Sequence, residues 1–140
     1  LYPSNEKYTG YHLNHLSPNE TNEVGGVSGS CMVIRKDVID TIGYFDERYF
    51  AYQEDSDYCL TASKNGWKVY YHPDAIVKHI GGQGGSNSFP TRAIFEWHRS
   101  YVRYYYKNFA NDYSSIFNIF YFCVMICKLI VAETTYMIKQ

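Results

Sequence analysis

The stretch from Tyr44 to Leu60 reads YFDERYFAYQEDSDYCL and decides how the surrounding chain is interpreted. Three of its carboxylates, Glu54, Asp55 and Asp57, predict the start of a helix, since acidic side chains stabilise the amino terminus of a helix. Gly66 then predicts the end of that helix. The sequence therefore predicts an aromatic loop that leads into a helix with a cluster of acidic residues in its first turn.

The hydrophobic period changes after this helix. Residues 67–72 (WKVYYH) alternate like a strand, a Pro-Asp turn follows, and residues 75–80 (AIVKHI) read as a second strand. His79 lies at the end of this second strand, directly before the run GGQGGS at residues 81–86. Four glycines in six residues give the backbone freedom to approach a ligand closely. We expect a mobile loop beside His79.

The segments on either side complete an alternating pattern. Residues 31–34 (CMVI) follow a run of small residues and predict a buried strand. Asp37 is expected to cap a short helix that ends at Gly43. A longer helix is predicted from Thr91 to Lys107, with its basic residues on one face and its buried side formed by the residues Phe95, Val102 and Tyr106.

Composition limits the classes of function. The 140 residues carry a net charge of −1, so non-specific nucleic-acid binding is not expected. The four cysteines contain no Cys-x-x-Cys pair, which is typical of free thiols in a reducing compartment such as the cytosol. Sixteen tyrosines suit contacts with sugars, although tyrosines that only pack a core would give the same composition.

The tail from residue 113 to residue 140 is strongly apolar. Asn118 and Lys128 interrupt it, and its unbroken apolar length is shorter than the roughly 20 residues of a membrane span. We expect an interfacial helix or one packed on a partner, which leaves a membrane surface and a homodimer as alternatives.

Three motifs, taken in order, resemble the second half of family 2 glycosyltransferases, with rhamnosyltransferase-like members the most similar. They are GGVSGSCMVIR (residues 25–35), IGYFDERYFAYQEDSDYCL (42–60) and GWKVYYHPDAIVKH (66–79). The resemblance implies an α/β fold, a partial GT-A fold with a mixed sheet flanked by helices and a carboxyl-terminal helical extension. Residues 1–23 would be a linker from a missing amino-terminal half, 24–112 the acceptor and catalytic-base half, and 113–140 an apolar helical tail.

The resemblance also implies roles for individual residues. Asp55 would be the general base that takes the proton of the acceptor hydroxyl. His79 would help to bind a divalent metal, Mg or Mn, held mostly by the missing half. Acceptor contact or ordering of the site would fall to Glu54, Asp57, Gly29 and Ser30, and contact with the donor diphosphate to Gly84, Gly85, Ser86 and Arg92. We expect Asp55 and His79 to converge on one cleft.

The expected reaction moves a sugar from a nucleoside diphosphate donor to a hydroxyl of a glycan or lipid-linked acceptor, at the inner face of the plasma membrane. We expect the parent enzyme to be cytoplasmic and peripheral to the membrane. We expect this chain, as a fragment of that enzyme, to be inactive on its own. Two other classes stay open. One is a non-catalytic carbohydrate-binding or assembly module; the other is a small metal-dependent hydrolase that uses Asp55, Asp57 and His79.

Overall fold

The structure is a computed structural model that describes Leu13, residues 15–81 and residues 88–139. In chain order its elements are β1 (Asn22–Val24), α1 (Lys36–Ile42), α2 (Glu54–Lys64), β2 (Val69–Tyr71), α3 (Pro90–Asn108), a 3-10 helix (Ala110–Asp112) and α4 (Ser115–Ile138). Contacts divide the chain into two compact units, Leu1–Gly43 with Cys59–Lys78 and Tyr44–Tyr58 with His79–Gln140. The described part of the chain thus consists of helices and a small sheet.

The sheet of the first unit has two strands in antiparallel register. Asn22 pairs with Tyr71 and Val24 with Val69, and Lys68 forms an ion pair of 2.7 Å with Glu23 beside them. The alternating pattern of residues 67–72 therefore predicted β2 correctly, since a strand with one covered face alternates in hydrophobicity. β1 begins at Asn22, inside the segment expected to be a linker.

Two predicted strands are wrong. Residues 31–34 and 75–80 form no strand, and Val33 and Ile76 are 96% and 90% exposed. A short apolar run becomes a strand only where a neighbouring strand pairs with its backbone, and the partner of β2 is β1 rather than residues 75–80. Among the described residues the sheet is antiparallel, whereas a mixed sheet was expected.

The predicted helices are confirmed, with one error at a cap. α1 ends before Gly43, whose φ of +82° is the left-handed conformation that glycine adopts without strain. Asp37 was expected to cap α1, but Arg35 occupies the cap position and the helix begins at Lys36. The Asp37 carboxylate accepts a hydrogen bond from Arg35 instead of from the backbone.

In the second unit, α3 packs against α4 through aromatic side chains. The rings of Tyr105 and Tyr121 stack with centroids 3.9 Å apart, and the Tyr105 hydroxyl bonds the amide oxygen of Asn118. The predicted buried side of α3 is wrong, because Phe95 and Tyr106 are exposed. The buried residues of α3 are Glu96, His98, Ser100 and Tyr105. Of its buried polar residues, Ser100 bonds the Ala51 carbonyl, whereas His98 and Glu96 have partners within α3, the Ile94 carbonyl and Arg99.

The tail forms one continuous helix. α4 begins after Ser114, whose hydroxyl accepts a hydrogen bond from the Phe117 amide, and it runs for 24 residues. The predicted helical tail is confirmed, and Asn118 and Lys128, which interrupt its apolar sequence, both lie inside the helix. By length and hydropathy α4 is one helix that could cross a membrane.

Candidate active site

The acidic cluster is placed by an unusual turn. Tyr52 and Gln53, directly before α2, both have φ of +66°, a left-handed conformation that side chains other than glycine rarely adopt. Each such residue costs on the order of 1–3 kcal/mol and persists only where the surroundings hold it. The Gln53 carbonyl still accepts the Asp57 amide at 2.9 Å, so the turn connects directly to the first turn of α2.

Glu54 and Asp55 are the first two residues of α2, and both are half-buried. One Asp55 carboxylate oxygen accepts hydrogen bonds from the Ser56 amide at 2.7 Å and from the Ser56 hydroxyl at 3.4 Å. These bonds fix the carboxylate relative to the helix. The Glu54 Oε2 atom is buried, and no donor among the described residues satisfies it. A buried, unsatisfied carboxylate oxygen calls for a partner, and a bound hydroxyl group would be one.

Asp57 points to the side of α2 opposite Asp55, because residues two apart on a helix face away from each other. It is 3% exposed. Lys107 donates to its Oδ2 at 2.5 Å, and Asn108 and Tyr49 donate to its Oδ1 at 2.8 and 3.3 Å. Both carboxylate oxygens are therefore occupied by donors of the protein itself. Of the two roles open to Asp57, these contacts favour ordering of the site over contact with an acceptor.

Electrostatics reinforces this cluster. Arg48 and Lys107 both donate to Asp46, at 2.6 and 3.0 Å. The hydrogen bonds from Arg48 hold the pKa of Asp46 well below its usual range against the opposing effect of burial, and Lys107 adds to the lowering. Burial works against a charged Lys107, but its bonds to Asp57 and Asp46 raise the pKa of the ammonium. Burial, followed by the charge of Asp57, raises the pKa of the Tyr49 hydroxyl, so that it remains a donor.

One side of α3 holds the chain segment that carries the acidic cluster. Ser100 is 1% exposed and donates to the Ala51 carbonyl at 2.6 Å, one residue before the left-handed pair. The Arg103 guanidinium lies over the Tyr49 ring, 5.9 Å from its centroid. Together with Lys107 these residues recur at spacings of three and four, which places them on one helix face. α3 thus contacts the segment around the turn from three positions along the helix.

The remaining predicted site residues lie in several places. The Arg92 guanidinium stacks over the Phe50 ring at 4.1 Å from the centroid, on the same segment that leads to α2. His79 is exposed and outside any helix or strand. Gly29 and Ser30 are exposed in a loop of the first unit, where the Ser30 hydroxyl donates to that of Ser28. Gly84, Gly85 and Ser86 lie outside the described residues.

The expected metal has no ligand set in the described ranges. Across Leu13, residues 15–81 and residues 88–139, no group of three or more His, Cys, Asp or Glu side chains could hold an ion. A divalent cation needs several oxygen or nitrogen ligands at once. The described residues therefore form no metal site around His79. Convergence of Asp55 and His79 on one cleft stays a prediction.

The sequence did not reveal the partners of Asp57. Lys107 and Asn108 are about 50 positions away along the chain, and Lys107 was expected to lie on a basic helix face. The available signal was the polar spacing of Ser100, Arg103 and Lys107, which differs from that of the aromatic residues on the same helix. That spacing could have indicated a polar face that contacts another segment of the chain.

Comparisons with known proteins agree with the motifs. A family model described as "Glycosyltransferase like family 2" matches residues 6–106. The N-acetylglucosaminyl-diphospho-decaprenol L-rhamnosyltransferase of two Mycobacterium tuberculosis strains, CDC 1551 / Oshkosh and H37Rv, is 42% identical over 79 residues, 56% of this chain and 25% of that protein. Rhamnosyltransferase WbbL of Escherichia coli K12 is 36% identical over 78 residues, 55% and 29% of the two chains.

No solved structure matches the chain. The chain spans between a quarter and a third of the length of the curated relatives it matches. The family model, however, covers more than half of the chain, and it includes the acidic cluster at the start of α2 and most of α3. This chain therefore belongs to the glycosyltransferase-like family 2.

Proposed function

We propose that the chain is part of a glycosyltransferase that moves a sugar from a nucleoside diphosphate donor to a hydroxyl of a glycan or lipid-linked acceptor, with Asp55 as the general base. The observation that carries the proposal is the placement of Asp55. It follows two left-handed residues that buried contacts to α3 hold in place, and such strain concentrates at functional sites.

In the proposed reaction the acceptor oxygen forms a bond to the anomeric carbon of the donor sugar. Its proton passes to the Asp55 carboxylate, and the bond from the anomeric carbon to the diphosphate oxygen breaks, with the diphosphate keeping the electron pair. A well-placed base contributes about 10²–10⁴-fold to the rate of such a step. A divalent cation, when bound, would offset charge on the diphosphate.

The other residues have supporting roles in this proposal. Glu54, whose buried Oε2 has no donor among the described residues, binds an acceptor hydroxyl. Asp57 orders the site through its bond to Lys107. Arg92 contacts the diphosphate together with Gly84, Gly85 and Ser86, as the family resemblance implies, and Gly29 and Ser30 help on the acceptor side. His79 adds a ligand to a metal held mainly by other parts of the enzyme.

The names of the relatives refine the substrates. Both are rhamnosyltransferases, and the mycobacterial name specifies an acceptor linked by a diphosphate to decaprenol. We therefore propose L-rhamnose as the transferred sugar and a polyprenyl-diphosphate-linked sugar as the acceptor. The parent fold would be GT-A, with residues 24–112 as its acceptor and base half. Transfer would take place at the cytoplasmic face of the plasma membrane, where such a lipid presents its head group.

The test is Asp55→Asn in the full-length enzyme. Removal of the proton acceptor at nearly constant volume is expected to lower kcat by about 10²–10⁴-fold. Asp40→Asn is the matched control, since Asp40 is an exposed carboxylate on α1 that pairs with Lys36 in its own helix. An unchanged kcat in the Asp55 variant, measured with saturating donor and acceptor, would contradict the proposal.

Two further measurements separate the proposal from a binding module and from a hydrolase. Glycan binding that survives loss of both Asp55 and His79, in a protein without transfer activity, would favour the binding module. Metal-dependent turnover without any acceptor would favour the hydrolase. A transferase needs both substrates, and its turnover is lost when Asp55 is replaced.

A further inference from the structure

α4 exposes a broad apolar surface. Only 6% of its most apolar 18-residue window is buried, and the mean hydropathy of that window is 2.1. The exposed large side chains include Ile116, Ile119, Phe120, Ile130, Val131 and Met137. With 3.6 residues per turn, the exposed apolar positions cover roughly half of the helix circumference. Soluble proteins rarely leave so large an apolar surface in contact with water.

The other side of α4 is covered by α3 along most of its length. The Tyr121 hydroxyl donates to the Tyr101 carbonyl near the start of α4. The Lys128 ammonium lies 5.2 Å from the centroid of the Trp97 ring, and Ala132 lines a cavity together with Ala93. Contacts thus move toward the start of α3 as they move toward the end of α4, so the two helices pack antiparallel.

This packing opposes a membrane-spanning orientation of α4. If α4 crossed a bilayer with α3 attached, α3 would enter the hydrocarbon with its charged residues, which are Arg92, Glu96, Arg99, Arg103 and Lys107. α4 would also carry Lys128 and Glu133 into the bilayer. Charged side chains in the hydrocarbon are strongly unfavourable unless they face a polar interior.

A second copy of this chain also fits poorly. A partner helix covers a narrow stripe, with contacts at every third and fourth residue. The exposed apolar positions of α4 are wider than such a stripe, so pairing would leave much of the surface in water. A lipid surface covers the whole arc at once. By helical geometry Lys128 and Glu133 fall on the two margins of this apolar arc, where the charged ends of their side chains could reach water.

We propose that α4 lies in the plane of a lipid membrane, with its exposed apolar arc among the acyl chains and α3 on the aqueous side. Helices of this kind bury one face at the boundary between head groups and acyl chains. The inference adds an orientation to the membrane-side function proposed above, and its test requires no transfer reaction. Loss of transferase activity would therefore leave it standing.

The experiment measures the depth of spin labels in the full-length protein bound to vesicles of phosphatidylglycerol and phosphatidylethanolamine. Labels are placed one at a time on Cys123, on Cys127 and on the variants Ile116→Cys and Met137→Cys. In each protein the exposed thiols among Cys31, Cys123 and Cys127 that are not to be labelled are replaced by serine. Relaxation of each label by oxygen, which concentrates in the acyl chains, is compared with relaxation by a water-soluble nickel complex. The ratio of the two effects reports the depth of the label. A label on Arg99→Cys, an exposed position of α3, is the aqueous reference.

We expect similar, shallow depths at all four positions of α4 and full access of nickel to the reference label. A depth that increases toward Cys127 and decreases again toward Met137 would overturn the proposal in favour of a span. Labels that stay accessible to nickel when vesicles are present would overturn it as well, and a dimer in sedimentation would then identify a second copy as the occupant.

A second measurement does not depend on labelling. Ile130→Glu places a charge in the middle of the exposed arc and is expected to weaken co-sedimentation with the same vesicles by roughly tenfold or more. Val33→Glu makes the same kind of change at a 96% exposed apolar residue outside α4, and we expect it to leave binding unchanged. Equal vesicle binding by the Ile130 variant and the wild type would overturn the proposal.

Discussion

The Asp57 carboxylate is buried and accepts a hydrogen bond from the Lys107 ammonium inside the second unit. Lys107→Met would leave a carboxylate that is 3% exposed without its ammonium partner. We expect a loss of about 3 kcal/mol in the free energy of unfolding, the lower end of the range for breaking a buried pair, because Lys107 itself is partly exposed. Urea unfolding of both proteins measures this loss.

Lys36→Met is the control for that substitution. Lys36 also forms a short ion pair, with Asp40, but both side chains are mostly exposed, so its loss should change stability by no more than about 0.5 kcal/mol. Equal effects of the two substitutions would show that burial of Asp57 does not make its pair with Lys107 special.

Asp46 gives the stability a predicted dependence on pH. Its pKa lies well below the usual range, first because of the hydrogen bonds from Arg48, so the folded state binds a proton less readily than the unfolded chain. The stability from this group is therefore complete above the unfolded pKa of about 3.9 and is lost as the pH falls below that value. Asp46→Asn should be less stable at pH 7 and should lose less stability between pH 5 and pH 2 than the wild type.

Unfolding curves in urea across that pH range measure the difference. Asp74→Asn, at a carboxylate that is 91% exposed, is the control and should follow the wild-type profile. Parallel profiles of the Asp46 variant and the wild type would argue against the role of Arg48 and Lys107 at this carboxylate.

At the scale of elements, the turn before α2 stores backbone strain that substitutions can reveal. Gln53→Gly should be at least as stable as the wild type, by up to about 1 kcal/mol, because glycine adopts φ of +66° without a steric cost. Gln53→Val should lose about 1–2 kcal/mol, because a β-branched side chain is a steric outlier there. Thermal unfolding measures both.

Thr134, an exposed residue inside α4, supplies the opposite reference. Glycine in a helix interior costs about 0.5–1 kcal/mol, so Thr134→Gly should destabilise the protein whereas Gln53→Gly should not. The same sign at both positions would contradict a left-handed Gln53. A lower kcat in a stable Gln53→Gly enzyme would indicate that the strained turn sets the position of Asp55.

α3 connects two properties of the second unit. Its polar face holds the turn and Asp57 through Ser100, Arg103 and Lys107, while its aromatic face packs on α4. A helix with two occupied faces transmits a shift on one side to the other, because packed interiors deform little. The proposed membrane helix and the proposed base are thus joined by one rigid element.

At the scale of the whole molecule, we expect the isolated chain to show no donor-dependent transfer. The aligned segment covers 25% of the mycobacterial relative, and the described residues hold no metal ligand set. The measurement is transfer from a labelled nucleoside diphosphate sugar by the isolated chain and by the full-length enzyme under the same conditions. Transfer by the chain alone would contradict this expectation.

The helices of the described chain could largely be predicted, whereas of its two strands β2 was predicted and β1 was not. Periodic apolar positions, an acidic first turn and a terminal glycine located α2 within its own residues, whereas β1 has only three residues and no pattern of its own. Residues 75–80 looked more like a strand than β1 does. Pairing decides between such segments, because one strand without a partner leaves its backbone groups unsatisfied.

The sequence by itself determined the family, the order of the motifs and the cluster of carboxylates at the start of α2. Only the tertiary structure decided that Asp57 is buried against Lys107, that Tyr52 and Gln53 are left-handed, and that α4 shows an apolar arc to its surroundings. The reason is physical. Helix signals act over a few neighbouring residues, whereas burial and ion pairing depend on groups that are distant in the chain and meet only after folding.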